Sequence, residues 1–248
     1  MLNLALSAGF AVVAFLYAVV GHAGASGYIA LMTLCNLLPE TIKPVALILN
    51  IVVASIGCWN FLGAGHLPWR IIWPVYLLAI PASFLGGWLN LPGIWFQRLI
   101  GIVLVFTAWR LGAVSKDPAS LRQPRRSALV ITGGILGLLA GLTGTGGGVF
   151  LTPLLLLTKW CDTRQAAATS ILFILINSFS GLAGFAWNHP TALTAVLNTS
   201  LFGWIAAVVI GGSLGSRLGS RHWPVAWIRR ILAFVLVLAA LKLLGLHG

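Results

Sequence analysis

The sequence has 248 residues, 59% of them hydrophobic and only 7% charged, and its mean hydropathy is +1.02. A soluble domain carries roughly 25% charged residues, so a soluble enzyme, a disordered tail protein and a large extramembrane domain are all excluded. What remains is an all-α polytopic membrane protein, with room for at most about eight or ten crossings. The 15 Lys and Arg against 3 acids give a net charge of +12. They stand singly or in short loops between apolar runs, which points to lipid head groups and an anionic solute as partners and away from nucleic acid.

In chain order, apolar runs cover 3–38, 44–64, 71–90 and 94–112, then 128–158, 165–187, 193–216 and 225–244. No Lys or Arg precedes the first run, and a secretory signal has a basic start, so this run is expected to be retained structure. It holds Gly21, His22, Gly24, Ser26 and Gly27. The second run carries Asn50 in an otherwise apolar span. A polar stretch, Ser115 to Ser127, separates the fourth run from the fifth. The fifth holds Thr143, Gly144, Thr145, Gly146, Gly147 and Gly148, and the sixth Thr169, Ser170 and Asn177. Trp59, Trp69, Trp73, Trp88, Trp95, Trp160 and Trp223 stand near run ends, the usual place of an interfacial aromatic belt. Cys35, Cys58 and Cys161 are odd in number and widely spaced, which reads as packing thiols and not as a disulfide or zinc framework.

The two sets of runs have the same order, a long Gly-broken run followed by three ordinary spans. A shift of 120 residues superposes Gly21, Gly24 and Gly27 on Gly141, Gly144 and Gly147, and Asn50 on Ser170. The expected organisation is a first transmembrane repeat over 1–112, a basic linker over 113–127 and a second repeat over 128–248. As one helix, residues 3–38 would be about 54 Å long against a hydrocarbon core of about 30 Å. The run must break, and the glycines mark where. If the broken run crossed the membrane, basic residues would divide seven against eight between the two sides. If it turns back as a re-entrant hairpin, leaving three crossings per half, they divide twelve against three. The second division obeys the positive-inside rule. It predicts inverted repeats in a bacterial inner membrane, with the linker cytoplasmic and both termini periplasmic.

Irregular backbone at membrane depth is tolerated where it is buried in protein or lines a polar cavity. Paired Gly-interrupted segments in corresponding positions of two halves point to a transporter binding site. A helix restarting after Gly27 or Gly148 offers its first amides and the positive end of its dipole to an anion. Glycine leaves those amides accessible, and Ser26, Thr143 and Thr145 add hydroxyl donors. Glycines in membrane helices also serve close packing, but two matching clusters on two overlong runs favour the site. Asn50, Thr169 and Ser170 are the polar groups expected to complete it.

The segment from Gly141 to Pro153 (GLTGTGGGVFLTP), its looser copy Gly21 to Tyr28 (GHAGASGY) and the stretch Arg164 to Ser170 (RQAAATS) resemble the TauE/SafE sulfite exporter family. The resemblance extends over the whole chain. It implies a carrier for sulfite, sulfonates or related small anions; the residues themselves imply only an anion bound by backbone amides.

No carboxylate is expected inside a span, since Glu40, Asp117 and Asp162 read as loop residues; coupling through a buried acid is therefore not supported. His22, the titratable group beside a break, is either a ligand or proton-coupling group or a neutral histidine bonded to backbone. Lys43 and Arg164 follow the breaks and read either as anion attractors or as snorkelling cations. No cofactor, metal or catalytic group is expected. Two other classes compete with the carrier. An anion channel needs rings of donors along a wet path, and the sequence is too sparsely polar to show them. An intramembrane serine protease is suggested by Gly24-Ala25-Ser26-Gly27, but the sequence offers no suitable histidine base. Nothing in the sequence decides between a monomer and a homodimer.

Overall fold

The structure is a computed structural model that describes residues 2–19, 22–62, 67–89, 93–112, 120–197 and 199–219, with 234, 237, 240, 241 and 244 near the C-terminus. The described residues form ten helices. The first half contributes α1 (Leu2–Val19), α2 (Ala25–Leu34), α3 (Pro39–Leu62), α4 (Trp69–Trp88) and α5 (Gly93–Gly112). The second contributes α6 (Arg126–Thr143), α7 (Gly148–Leu157), α8 (Thr163–Asn188), α9 (Pro190–Val196) and α10 (Thr199–Gly219). Five stretches are long and apolar enough to span a bilayer: Glu40–Trp59, Trp69–Trp88, Arg126–Thr143, Arg164–Asn188 and Ser200–Arg217. The protein is thus a multi-pass membrane protein. Most of the expected span over 225–244, and Gly21, lie outside the described residues.

Both long runs break where the glycines stand. α2 folds back along α1: Leu31 lies against Gly9, Gly27 against Val13, and Ser26 bonds Tyr17. Falling residue numbers on one helix thus face rising numbers on the other, and the pair is an antiparallel hairpin. α2 and α7 have 10 residues each, about 15 Å at 1.5 Å per residue, or half a bilayer core. Two expectations are corrected in detail. The first helix restarts at Ala25, with Gly24 as its N-cap, and not after Gly27. Gly24 has φ of +101°, a conformation open to glycine, and the three residues that follow already lie on the helix. The run over 193–216 is not one span but α9 and α10, interrupted at Leu197.

Helix pairing crosses between the halves. Gly133, Gly137 and Gly141 of α6 abut Val75, Ala79 and Ser83 of α4, and a Cβ at any of the three would collide with a carbonyl oxygen of α4. On the opposite pair, Gly211 and Gly215 of α10 abut the carbonyls of Ala11 and Phe15 of α1. Both pairs keep a constant residue offset, so in each the helices run parallel. Small residues four apart let membrane helices approach to backbone contact, and here they bind each half's first helix to a helix of the other half. At the centre, α3 and α8 run antiparallel: Gly57 faces Ile171, while Asn50 and Ser178 both face Gly146. α4 runs along α8 in the same direction, fastened by Tyr76 Oη donating to Thr169 O at 3.2 Å and Ser83 Oγ to Asn177 O at 2.8 Å.

Candidate functional site

Each break places a glycine of positive φ at the N-cap of the helix that follows, Gly24 before α2 and Gly147 before α7, and the two differ in chemistry. In the second, Gly144, Gly146 and Gly147 have φ of +74°, +71° and +78°, and α7 starts at Gly148 with Gly147 as N-cap. Neither α2 nor α7 has a side-chain cap, so their first amides, which have no partner within the helix, are left to other groups.

The first break closes on itself. Tyr28 Oη donates to Ala23 O at 2.8 Å, and Tyr17 Oη pairs with Ser26 Oγ at 2.8 Å. Both side chains are buried, and the Tyr28 ring crowds Gly24. Under the 120-residue shift these tyrosines correspond to Gly137 and Gly148, and the ring that crowds the second break at Gly147 is instead Phe173 of α8, which has no hydroxyl to bond the turn. Ser26, the serine of the protease-like match, is therefore half of a buried tyrosine–serine pair.

The second break faces α3 and α8. A Cβ on Gly146 would come within 2.9 Å of Ile174 Cγ2 and Ser178 Oγ and within 3.0 Å of Asn50 Nδ2. Asn50 and Ser178 are fully buried, and neither Asn50 Nδ2, Asn50 Oδ1 nor Ser178 Oγ has a hydrogen-bond partner. An unpaired buried polar group costs about 1–3 kcal/mol, so two such atoms, Asn50 Nδ2 and Ser178 Oγ, converging on one glycine require an explanation. Two turns along α8, Ser170 Oγ accepts from Thr152 Oγ1 at 2.7 Å, and His22 Nε2 lies 3.3 Å from the same Thr152 oxygen. Ser170, Ile174 and Ser178 thus form one stripe of α8 along the break. Thr152 joins the first break to the second.

The remaining expected residues have internal roles. Thr143 Oγ1 donates to Leu139 O at 2.6 Å and pairs with Thr145 Oγ1 at 2.8 Å. Thr169 Oγ1 donates to Gln165 O at 2.7 Å. Asn177 Nδ2 donates to Phe173 O at 2.9 Å, leaving its Oδ1 unpaired. Glu40 is not a loop residue: it sits, exposed, in the first turn of α3. Asp162 caps α8, accepting from Gln165 N at 2.8 Å. Arg164 is exposed, whereas Lys43 does not snorkel. Its Nζ is buried at the C-terminal end of α4 and donates to Gly86 O and Gly87 O at 2.9 Å and to Leu89 O at 3.3 Å. A cation there complements the negative end of the helix dipole. The Lys43 backbone also lies against Gly144, its O 3.1 Å from where a Cβ would stand, so the second break is braced by the start of α3.

Ser178 and Thr152 were not legible as site residues. Thr152 stands near the end of the Gly141–Pro153 segment and Ser178 beside Asn177, but no spacing singles either out, and only the crossing of α3 and α8 and the return of α7 give them their neighbours.

A bundle of apolar helices with two glycine-broken hairpins and an unpaired polar cluster at its centre has the construction of a membrane transporter. The comparisons agree. The chain belongs to the sulfite exporter TauE/SafE family, whose model matches residues 5–243. It is 40% identical over 246 residues to a probable membrane transporter protein of Sinorhizobium fredii, covering 96% of this chain and 97% of that one. A probable membrane transporter protein of Haemophilus influenzae is 24% identical over 94% of both chains. One from Xylella fastidiosa is 30% identical over 125 residues, about half of each. No solved structure matches the chain.

Proposed function

We propose that this protein is a secondary carrier for a small sulfur oxyanion, sulfite or an organosulfonate, working by alternating access. The anion is held at the second break by the amides that open α7, together with Asn50 and Ser178, and Ser170 continues the polar stripe two turns along α8. The observation that carries this reading is the convergence of unpaired, fully buried Asn50 and Ser178 on Gly146. An oxyanion seated there accepts from Asn50 Nδ2 and Ser178 Oγ, while the α7 dipole offsets its charge. Gly144, Gly146, Gly147 and Gly148 shape the cradle, with Thr143 and Thr145 bracing the turn. Gly21, His22, Gly24, Ser26 and Gly27 form the moving counterpart in the first half, and Thr169 supports α8. The sulfur chemistry of the solute rests on the family to which the chain belongs.

The antiparallel course of α3 and α8 supports reading 1–112 and 128–248 as inverted repeats about the 113–127 linker, since equivalent helices of parallel repeats would run the same way. In this reading the linker faces the cytoplasm of a bacterial inner membrane and both termini face the periplasm. Cysteine placed at Ser120, which is exposed, then reacts with an impermeant maleimide in inverted vesicles and not in intact spheroplasts; the reverse pattern overturns the orientation.

The function is tested by uptake of labelled sulfite and sulfonates into proteoliposomes, with sulfate and carboxylates as competitors. Saturable flux with trans-acceleration is expected, and Gly146→Val should abolish it while the protein stays folded. Undiminished flux in that variant would remove the second break from the mechanism. Flux that fails to saturate would indicate a channel.

A further inference from the structure

A separate cavity of about 1160 Å³ opens at the end of the molecule where α4 and α6 begin. Among the described residues three arginines line it, Arg70, Arg122 and Arg126, and no acidic residue does. It is a built feature and not a gap between loops. The backbone N–H of Arg122 donates to Lys159 O at 2.7 Å, fastening the strand of chain before α6 to the turn between α7 and α8. Lys159 itself is held at φ of +59°. Because α4 and α6 run parallel, both N-terminal ends open here, neither with a side-chain cap. Their positive dipole ends add to the arginine charge.

The arrangement along α4 specifies more than an anion. Arg70, Trp73 and Leu77 follow one another on a single face at spacings of three and four, and Trp73 and Leu77 are 72% and 60% exposed. On α6, Arg126 is followed one turn later by Val130, also in the wall. On each helix a cation at the end gives way to apolar side chains towards the middle of the bundle. That is the order of a phospholipid, head group and then acyl chain, and basic pockets between transmembrane helices bind anionic head groups in this way. Trp73, at the join, occupies the level that tryptophan favours at a bilayer interface.

We infer that this cavity is a binding site for one anionic phospholipid, its phosphate among Arg70, Arg122 and Arg126 and an acyl chain against Trp73 and Leu77. The lipid lies over the seam where α4 of one half packs on α6 of the other. The inference does not depend on the solute transported.

The test is native mass spectrometry of the purified full-length protein, titrated with phosphatidylglycerol or with phosphatidylcholine of the same chains. The wild type should retain one phosphatidylglycerol at least tenfold more tightly than phosphatidylcholine. The triple variant Arg70→Gln, Arg122→Gln, Arg126→Gln should lose that preference, and Arg98→Gln, whose side chain stacks on Trp95, should keep it. Equal retention of the two lipids by the wild type, which needs no variant, would overturn the site. So would an unchanged preference in a folded triple variant. Methanesulfonate in excess should leave the lipid in place; displacement of the lipid by this short anion would mean that the cavity is a vestibule for soluble anions and not a lipid site.

Discussion

At the residue scale, Ser178 and Ser83 are both fully buried serines in spanning helices, yet they have opposite standing in the fold. Ser83 Oγ donates to Asn177 O at 2.8 Å, whereas Ser178 Oγ bonds nothing. Removing a made bond costs about 1 kcal/mol, and removing an unpaired hydroxyl relieves a desolvation penalty. Ser83→Ala is therefore expected to lower the thermal midpoint in detergent, while Ser178→Ala leaves it unchanged or raises it and weakens anion binding about tenfold. A Ser178→Ala variant that loses stability but not affinity would make this serine a packing residue. Part of this scale was legible: the glycine clusters and Asn50 stand out because polar groups and helix breakers are costly in an apolar span. Ser178 did not, since its neighbours Asn177 and Phe179 give no pattern and its partner Gly146 is 32 residues away. Lys43 read as an interfacial cation for a similar reason: nothing near it in sequence reveals that the last carbonyls of α4 surround its ammonium.

At the element scale, the breaks and the interlocking glycines serve different ends. Gly144, Gly146 and Gly147 are glycine because their φ is positive. Gly133, Gly137 and Gly141 have ordinary helical backbone and are glycine because α4 leaves no room for a Cβ. Gly137→Ala must push α6 from α4 and is expected to cost about 1–3 kcal/mol, the usual penalty of overpacking. Gly203→Ala on α10, whose Cβ would meet only Ser7 Oγ at 3.9 Å, should be neutral. Thermal unfolding of the two purified variants makes the comparison, and equal midpoints would contradict backbone-tight packing of α4 on α6. The helices themselves were legible from run length and hydropathy, to within a few residues. The division of the 193–216 run was legible but not read: Asn198, Thr199 and Ser200, residue types that favour a helix start, directly follow Leu197.

At the scale of the whole molecule, neither half is complete alone, since α1 is paired with α10 and α6 with α4. Residues 1–112 and 128–248 produced as separate chains are expected to be degraded singly and to co-purify when produced together. Two halves that each accumulate as stable monomers would show the exchange of helices to be dispensable. What the sequence determined by itself was the class of protein, the number and order of its apolar runs, the internal likeness of its halves and the position of both breaks. All of these follow from local physics: hydropathy, helix length against bilayer thickness, and the conformational freedom of glycine. The tertiary structure alone decided which break keeps polar atoms unsatisfied. Tyr28 closes the first by reaching back to Ala23 and Tyr17 by reaching forward to Ser26, while the second is finished by Asn50 and Ser178, brought together only because α3 and α8 cross in opposite directions. Which side chains meet at that crossing depends on register and direction between distant helices, and no local property of either helix encodes it.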